Sequence, residues 1–347
     1  MKRDFLDTAA WPPETIDAVL DLATRVKRGE VSGGLEGKVL AMIFMDPSLR
    51  TRASFETAMF LHGGHAFVLE PGRGSWALEI EVGAVMEGIG VEHVIDAARV
   101  LGRYADALAV RSFPRGIDWA TEREDRVIHN FARYCEKPVI NMESVRRHPC
   151  QGLADAFTLR ERLGGGEPVG KKFVLQWAWH PKALPTAVPA SAVLAAAHLG
   201  MAITVAHPEG FELDPEDLAA GAALAQARGG SLSVTHDREA ALDGADAVYV
   251  KAWGSLAHHS RPDQERQLRL PHRNWRMTEQ AQALTRKGRG IVLHCLPVRR
   301  NVEIDDAVLD GAHSAVYDQA ENRLHVQRAL LLELLSANSY RLSADSR

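Results

Sequence analysis

The segment Phe44-Met45-Asp46-Pro47-Ser48-Leu49-Arg50-Thr51-Arg52 joins an apolar run to a helical pattern. Ser48 and Thr51 are residue types that cap a helix start, where backbone N–H groups are open and the dipole end is positive. Arg50 and Arg52 add forked cations, which suit a phosphate. An ordinary capped helix with surface arginines would show the same pattern. A second segment, His148-Pro149-Cys150-Gln151, follows Met142-Glu143. His148 and Gln151 can both donate to a carbonyl oxygen, and such donors stabilise an oxyanion as a nucleophile adds. A histidine and a glutamine at a plain helix start are the bland alternative. A third segment, His294-Cys295-Leu296-Pro297-Val298-Arg299-Arg300, ends a strand pattern. Cys295 has the form of a nucleophile, but no base stands near it in sequence, and buried free cysteine is common. The preferred reading is that the backbone around Cys295 and Leu296 lines a site.

Such residues need a scaffold that brings strand ends and helix starts together. Apolar runs at Val39–Phe44, 66–70, Ala107–Arg111 and 138–141 predict a first series of strands. Runs at Lys172–Trp177, Ala202–Ala206, Ser231–Thr235, 247–250, 291–294 and 314–317 predict a second. Helical patterns, such as 191–199 and 217–228, separate most of them. Strands alternating with helices imply parallel sheets with right-handed crossovers. The fold class is therefore α/β, with two doubly wound parallel-sheet domains, and the chain's 347 residues exceed one ordinary core. Ligands in such sheets lie at the carboxyl ends of strands, where all three segments fall. The breaker run Gly164-Gly165-Gly166-Glu167-Pro168 separates the two series. Residues 255–273 read as a polar surface loop, and 321–338 as a last helix.

Bulk properties narrow the function classes. A net charge of -4 with both signs interspersed gives no nucleic-acid footprint. No apolar run approaches a membrane span. Three widely spaced cysteines, Cys135, Cys150 and Cys295, argue against a disulfide framework or a zinc site. The N-terminal stretch has acids and prolines where a signal peptide needs an apolar core, so a cytoplasmic location is expected. No metal and no cofactor is called for. A dinucleotide-dependent dehydrogenase would need GxGxxG after a strand, and the glycine-rich stretches lack that spacing.

Taken together the three segments resemble the aspartate and ornithine carbamoyltransferase family. Its phosphate segment reads Ser-Thr-Arg-Thr-Arg, with Leu49 here in place of the first Thr. The ornithine branch carries His-Pro-x-Gln and His-Cys-Leu-Pro, and this chain has both. Ornithine-type members then carry Asp-x-x-x-Ser-Met-Gly, whose Asp holds a free α-ammonium group. This chain has Lys251-Ala252-Trp253-Gly254. A cation there would repel an ammonium group and suit an acceptor with a masked amine and a carboxylate. That resembles the branch acting on N-acylornithines.

The resemblance implies a carbamoyl phosphate-binding domain at 1–152, an acylornithine-binding domain at 153–320, and a C-terminal helix, 321–347, packing on the first domain. It implies that Ser48, Leu49, Arg50, Thr51, Trp76, Arg111, His148, Gln151, Cys295, Leu296 and Arg323 meet carbamoyl phosphate, with His148, Arg111 and Gln151 acting in catalysis. Glu143, Lys251, Leu296, Val91 and Arg299 would meet the acylornithine. It also implies a homotrimer with active sites shared between subunits, Trp76 reaching into its neighbour. Absent the resemblance, Trp76 could cap a core, Arg111 could make a surface salt bridge, and Lys251 and Glu143 could pair structurally. Acetyl-specific members carry Glu at the position of Val91 and succinyl-specific members carry Pro. Val91 neither repels nor attracts a second carboxylate, whereas Arg299 could attract one. Glu303 stands where acetyl-type members have Lys, as an active charge or a surface pair with Arg299 or Arg300. The greater extent of similarity favours the acetyl acceptor over the succinyl one. A regulatory paralogue that binds carbamoyl phosphate without turnover is the alternative of another class.

Overall fold

Six-residue runs such as Val39-Leu40-Ala41-Met42-Ile43-Phe44 carry apolar side chains on both faces, which suits strands covered by helices on both sides. A computed structural model describes residues 2–164, 168–336 and 341–342. In it, the strand Val39–Phe44 lies between His65–Leu69 on one side and Ala107–Arg111 on the other, with Val139–Glu143 beyond, all parallel. The chain leaves the second strand position in one direction and returns in the other. The order therefore reverses between Val39–Phe44 and Ala107–Arg111, which makes their carboxyl ends the expected ligand crevice. The core beneath this sheet includes Ile43, Leu108, Val110, Ile128, Phe131 and Val139.

A second parallel sheet runs in the order Ser231–Thr235, Ala202–Ala206, Lys172–Trp177, Ala247–Lys251, Ile291–Leu293. Its order reverses between Lys172–Trp177 and Ala247–Lys251, so Trp177 and Lys251 end the strands at its switch point. Ala178 N donates to Lys251 O at 2.9 Å and pins the two exits together. Trp177, Tyr249, Trp253 and Phe211 are fully buried in this core.

Two compact units result. One holds residues up to Pro114, Glu122–Cys150 and those from Arg323; the other holds Arg115–Thr121 and Gln151–Asn322. The changeover falls within the helix Pro149–Arg162 and again within the helix Val316–Leu335. In the breaker run expected between the domains, Gly165, Gly166 and Glu167 lie outside the described residues, as does the 337–338 end of the expected last helix.

Two expectations are corrected. Residues 314–317 form no strand: Ser314 makes one isolated bridge to Val292, and the chain turns into the helix Val316–Leu335. Val316 and Tyr317 favour a strand, but they open the helix, and the helical pattern that follows wins. Residues 255–273 are not an irregular loop. They form the short helices Leu256–His258, Pro262–Arg269 and Leu270–His272, and Glu265 and Arg269 are buried despite their charge.

Candidate active site

In the first unit, the helix Leu49–Leu61 starts where the sequence predicts. Ser48 is its N-cap, and its hydroxyl accepts from Thr51 N at 3.2 Å. The loop before it is held by Met45 N donating to Arg111 O (3.0 Å) and Phe113 N donating to Asp46 Oδ2 (2.8 Å). Arg323 reaches from the last helix to donate to Thr51 Oγ1 at 3.1 Å. Arg111 is buried rather than making a surface salt bridge; it pairs with Glu143 and lies over the Phe113 ring at 4.4 Å. Its Nε is buried with no hydrogen-bond partner among the described residues, a donor awaiting an acceptor.

His148 is buried, with Nε2 3.4 Å from Glu143 Oε2. Burial, then the charges of Arg323, Arg111 and Arg50, holds its pKa well below the usual histidine value. It is therefore a neutral imidazole at pH 7, able to donate one N–H without adding charge. Arg50, Arg111 and Arg323 all lie near enough to this ring for their charges to act on it. With Glu143 counted, the set carries two net positive charges, suited to a dianion.

The loop leading to His148 has its own support. Asp125, buried and left-handed at φ 53°, accepts from the Ser144 hydroxyl and from Val145 N (3.3 Å) and Arg146 N (3.4 Å). Arg147 Nε donates to Asp7 Oδ2 at 2.6 Å. Cys150, two residues after His148, is pushed up to about 12, chiefly by burial, so it stays a thiol.

Leu49 is 81% exposed and Trp76 72% exposed, and Val91 is also exposed. Trp76 does not cap a core. It lies at the edge of an apolar cavity of about 260 Å³ lined also by Ile43, Leu69, Leu78, Leu101 and Phe131. Glu143 sits in the same unit as these residues, and its partner is Arg111, not Lys251.

The second unit gathers Gln151, Lys251, Cys295, Leu296 and Arg299. Lys251 is only 7% exposed and donates to Ala252 O at 3.2 Å. Leu296 has a left-handed backbone, φ 56°, and its N donates to His294 Nδ1 at 2.9 Å. With Nδ1 accepting, Nε2 of His294 carries the proton and faces Glu303 Oε1 at 3.4 Å. Glu303 is not a surface pair: it is 1% exposed, and its other oxygen accepts from Arg299 N at 2.8 Å. Burial pushes Glu303 up, but the hydrogen bond and electrostatic pull of His294, then the charge of Lys251 and the Arg299 N–H, bring it down to about 2. Arg300 turns away to Asp306 and Asp310.

Three partners escaped the sequence reading. Asp155, one helical turn after Gln151, accepts from Gln151 Nε2 (2.7 Å) and Gln319 Nε2 (2.5 Å). Gln319 Oε1 in turn accepts from His294 N at 2.9 Å. The i, i+4 spacing of Gln151 and Asp155 was the available signal. His180 is the third: its Nε2 accepts from Arg299 Nε at 2.9 Å, and its carbonyl accepts from Arg269, which pairs with Glu265. No sequence spacing pointed to it. Asp155→Ala orphans two amide donors and should lower the unfolding free energy by about 2–4 kcal/mol in urea titration; an unchanged midpoint would show that the network is decorative. Among the described residues, no group of His, Cys, Asp or Glu is arranged to hold a metal ion.

A parallel-sheet unit with a cationic, helix-capped dianion cradle, and a second with a buried lysine at its switch point, define a group-transfer enzyme that handles a phosphorylated donor. The model for the aspartate/ornithine carbamoyltransferase carbamoyl-P binding domain matches residues 3–161, and that for the Asp/Orn binding domain matches 185–334. The chain belongs to the aspartate/ornithine carbamoyltransferase family. An N-acetylornithine carbamoyltransferase of Xanthomonas axonopodis pv. citri is 44% identical over 335 residues, covering 96% of this chain and 97% of the relative. An N-succinylornithine carbamoyltransferase of Bacteroides fragilis is 35% identical, covering 87% and 88%. A solved acetylornithine transcarbamylase in complex with acetylcitrulline superposes with a TM-score of 0.94 at 44% identity, covering 96% of this chain and 99% of that one.

Proposed function

We propose that the chain transfers the carbamoyl group of carbamoyl phosphate to the δ-amine of N-acetyl-L-ornithine, giving N-acetyl-L-citrulline and phosphate. The observation that carries the donor is the set of three guanidiniums about neutral His148, offset by one carboxylate. Its net charge of plus two complements a phosphate monoester-like dianion. Ser48, Leu49, Arg50 and Thr51 hold the phosphate at the helix start, with Arg323 behind them. Arg111, His148 and Gln151 polarise the carbonyl, and Cys295 and Leu296 add backbone contacts. The neutral δ-amine attacks the carbonyl carbon, the carbon–oxygen bond to phosphate breaks, and the amine proton passes to the departing phosphate. Lys251 receives the acceptor's α-carboxylate, with Glu143, Leu296, Val91 and Arg299 completing acceptor recognition.

The acetyl acceptor is supported by greater identity and coverage toward the acetyl-type relative than toward the succinyl-type one. The reaction fits a step of arginine biosynthesis. A citrulline-type colorimetric assay with carbamoyl phosphate and ornithine, N-acetylornithine or N-succinylornithine tests this. Product is expected from N-acetylornithine. Product from free ornithine alone would overturn the role of Lys251, and none from any acceptor would favour a regulatory paralogue.

The reading extends to a homotrimer in the cytoplasm with active sites shared between subunits. Exposed Trp76, Val85, Ile89 and Val91 support an intersubunit surface. Three free cysteines fit a reducing compartment. Sedimentation at the mass of one 38.0 kDa chain would sink the trimer, and fractionation away from the cytoplasm would sink the location.

A further inference from the structure

We propose that Glu303 sets the acceptor preference: a buried, permanent anion beside Lys251 and Arg299, it leaves the second unit's charged cluster one net positive charge, which matches an acceptor with one carboxylate and disfavours one with two. The proposal rests on the reading that this unit receives an N-acylornithine.

The charge count follows from hydrogen-bond geometry. His294 Nδ1 accepts from Leu296 N, so His294 offers only its Nε2–H, which faces Glu303. His180 Nε2 accepts from Arg299 Nε, and its Nδ1 lies 2.8 Å from Lys182 O and 3.0 Å from Lys182 N, so no more than one ring nitrogen carries a proton. Both imidazoles are neutral in this arrangement. Arg299 links His180 to Glu303, its Nε donating to His180 Nε2 at 2.9 Å and its backbone N to Glu303 Oε2 at 2.8 Å, and the charge of Lys251 acts on both His180 and Glu303. Lys251 and Arg299 contribute two positive charges and Glu303 one negative. Burial of Glu303 and Lys251 keeps solvent from screening that balance.

The candidate acceptors differ in the same currency. With its δ-amine neutral for attack, N-acetylornithine carries one negative charge. N-succinylornithine carries two. Free ornithine, with an α-ammonium and a carboxylate, carries none. A cluster of net plus one is complementary to the first alone. Glu303 does not touch the reacting atoms in this account. It is a specificity-determining residue that acts through charge, and through Arg299 and His294 it also positions the backbone on either side of Leu296.

The test separates charge from size by adding the N-succinylornithine analogue whose succinyl carboxylate is a methyl ester, which is longer than acetyl but singly charged. Steady-state kinetics are measured for N-acetylornithine, N-succinylornithine and this ester, with the wild-type enzyme and Glu303→Gln. The wild type should use the ester about tenfold or more better than N-succinylornithine, with the difference in KM rather than kcat. Glu303→Gln should close that gap by about tenfold. Equal use of ester and acid by the wild type overturns the proposal, as does a gap that Glu303→Gln leaves unchanged. If Glu303→Gln does not fold, the wild-type comparison decides. A wild type that makes no product from N-acetylornithine removes the functional reading itself, and this proposal with it.

Discussion

Arg50→Ala should reduce kcat/KM for carbamoyl phosphate by about 10³-fold or more while leaving thermal unfolding nearly unchanged. Arg111 pairs with Glu143, and Arg323 donates to Thr51. Arg50 stands in the first turn of the helix Leu49–Leu61, where its side chain and the helix N–H groups act on the same anion. Its loss lowers the cradle from two net positive charges to one, against a ligand carrying two negative charges. It also relieves one of the charges that hold His148 neutral, so the histidine's pKa moves back toward its ordinary value. Arg52 is the matched control. It pairs with Glu56 at 3.1 Å on an exposed face, one turn along the same helix, and Arg52→Ala should change activity by less than about twofold. Saturation kinetics in carbamoyl phosphate read both. Near-normal turnover by Arg50→Ala would sink the donor site.

Most of the scaffold was legible because buried parallel strands are short apolar runs with little competing pattern. Val39–Phe44, Ala107–Arg111, Lys172–Trp177 and Ala202–Ala206 fall where the residues place them. The failures have a shared cause. Residues 255–273 look like a loop because they are polar, yet Glu265 and Arg269 are buried as a pair whose charges satisfy each other and whose spare donor holds the His180 carbonyl. Polarity predicts exposure only when no partner is at hand, and a partner four residues away is weak evidence without the fold. Glu303, which the sequence leaves open between an active charge and a surface pair, is ambiguous for the same reason. Beside Arg299 and Arg300 in sequence it can read as a surface charge, but its partners are a backbone N–H, an imidazole 9 residues away and the field of Lys251. Asp155 and Gln319 show the limit most clearly, since they meet across 164 residues of chain. The residues that touch substrates in the proposed mechanism carry motif signals. Those that aim them do so through contacts that the folded sheet alone creates.

Lys251→Met should have the second large effect, and on the other substrate. Lys251 ends the strand Ala247–Lys251 at the switch point of its sheet, buried and with its ammonium bonded to Ala252 O. Methionine keeps much of the volume and removes the charge. The N-acetylornithine carboxylate then loses its main cation, and kcat/KM for that acceptor should fall by about 10²–10³-fold, mostly through KM. Carbamoyl phosphate binding, read by calorimetry, should stay within about twofold, because the guanidiniums proposed to meet its phosphate belong to the first unit. The charge count sharpens the expectation: with Lys251 gone, the cluster of Arg299 and Glu303 is neutral, and free ornithine, itself neutral overall, should no longer be at a disadvantage. The variant should also be more acid-sensitive. Glu303 is held at about 2, in part by Lys251, against an ordinary value of 4.5. A depressed carboxylate contributes stability that is present above the unfolded value and is lost as pH falls through the folded one, here between about 4.5 and about 2. Without Lys251 the folded value rises toward 4.5, so that contribution shrinks at neutral pH and is exhausted at a higher pH during acid unfolding. An unchanged KM for N-acetylornithine together with an unchanged acid midpoint would separate Lys251 from both the acceptor and Glu303.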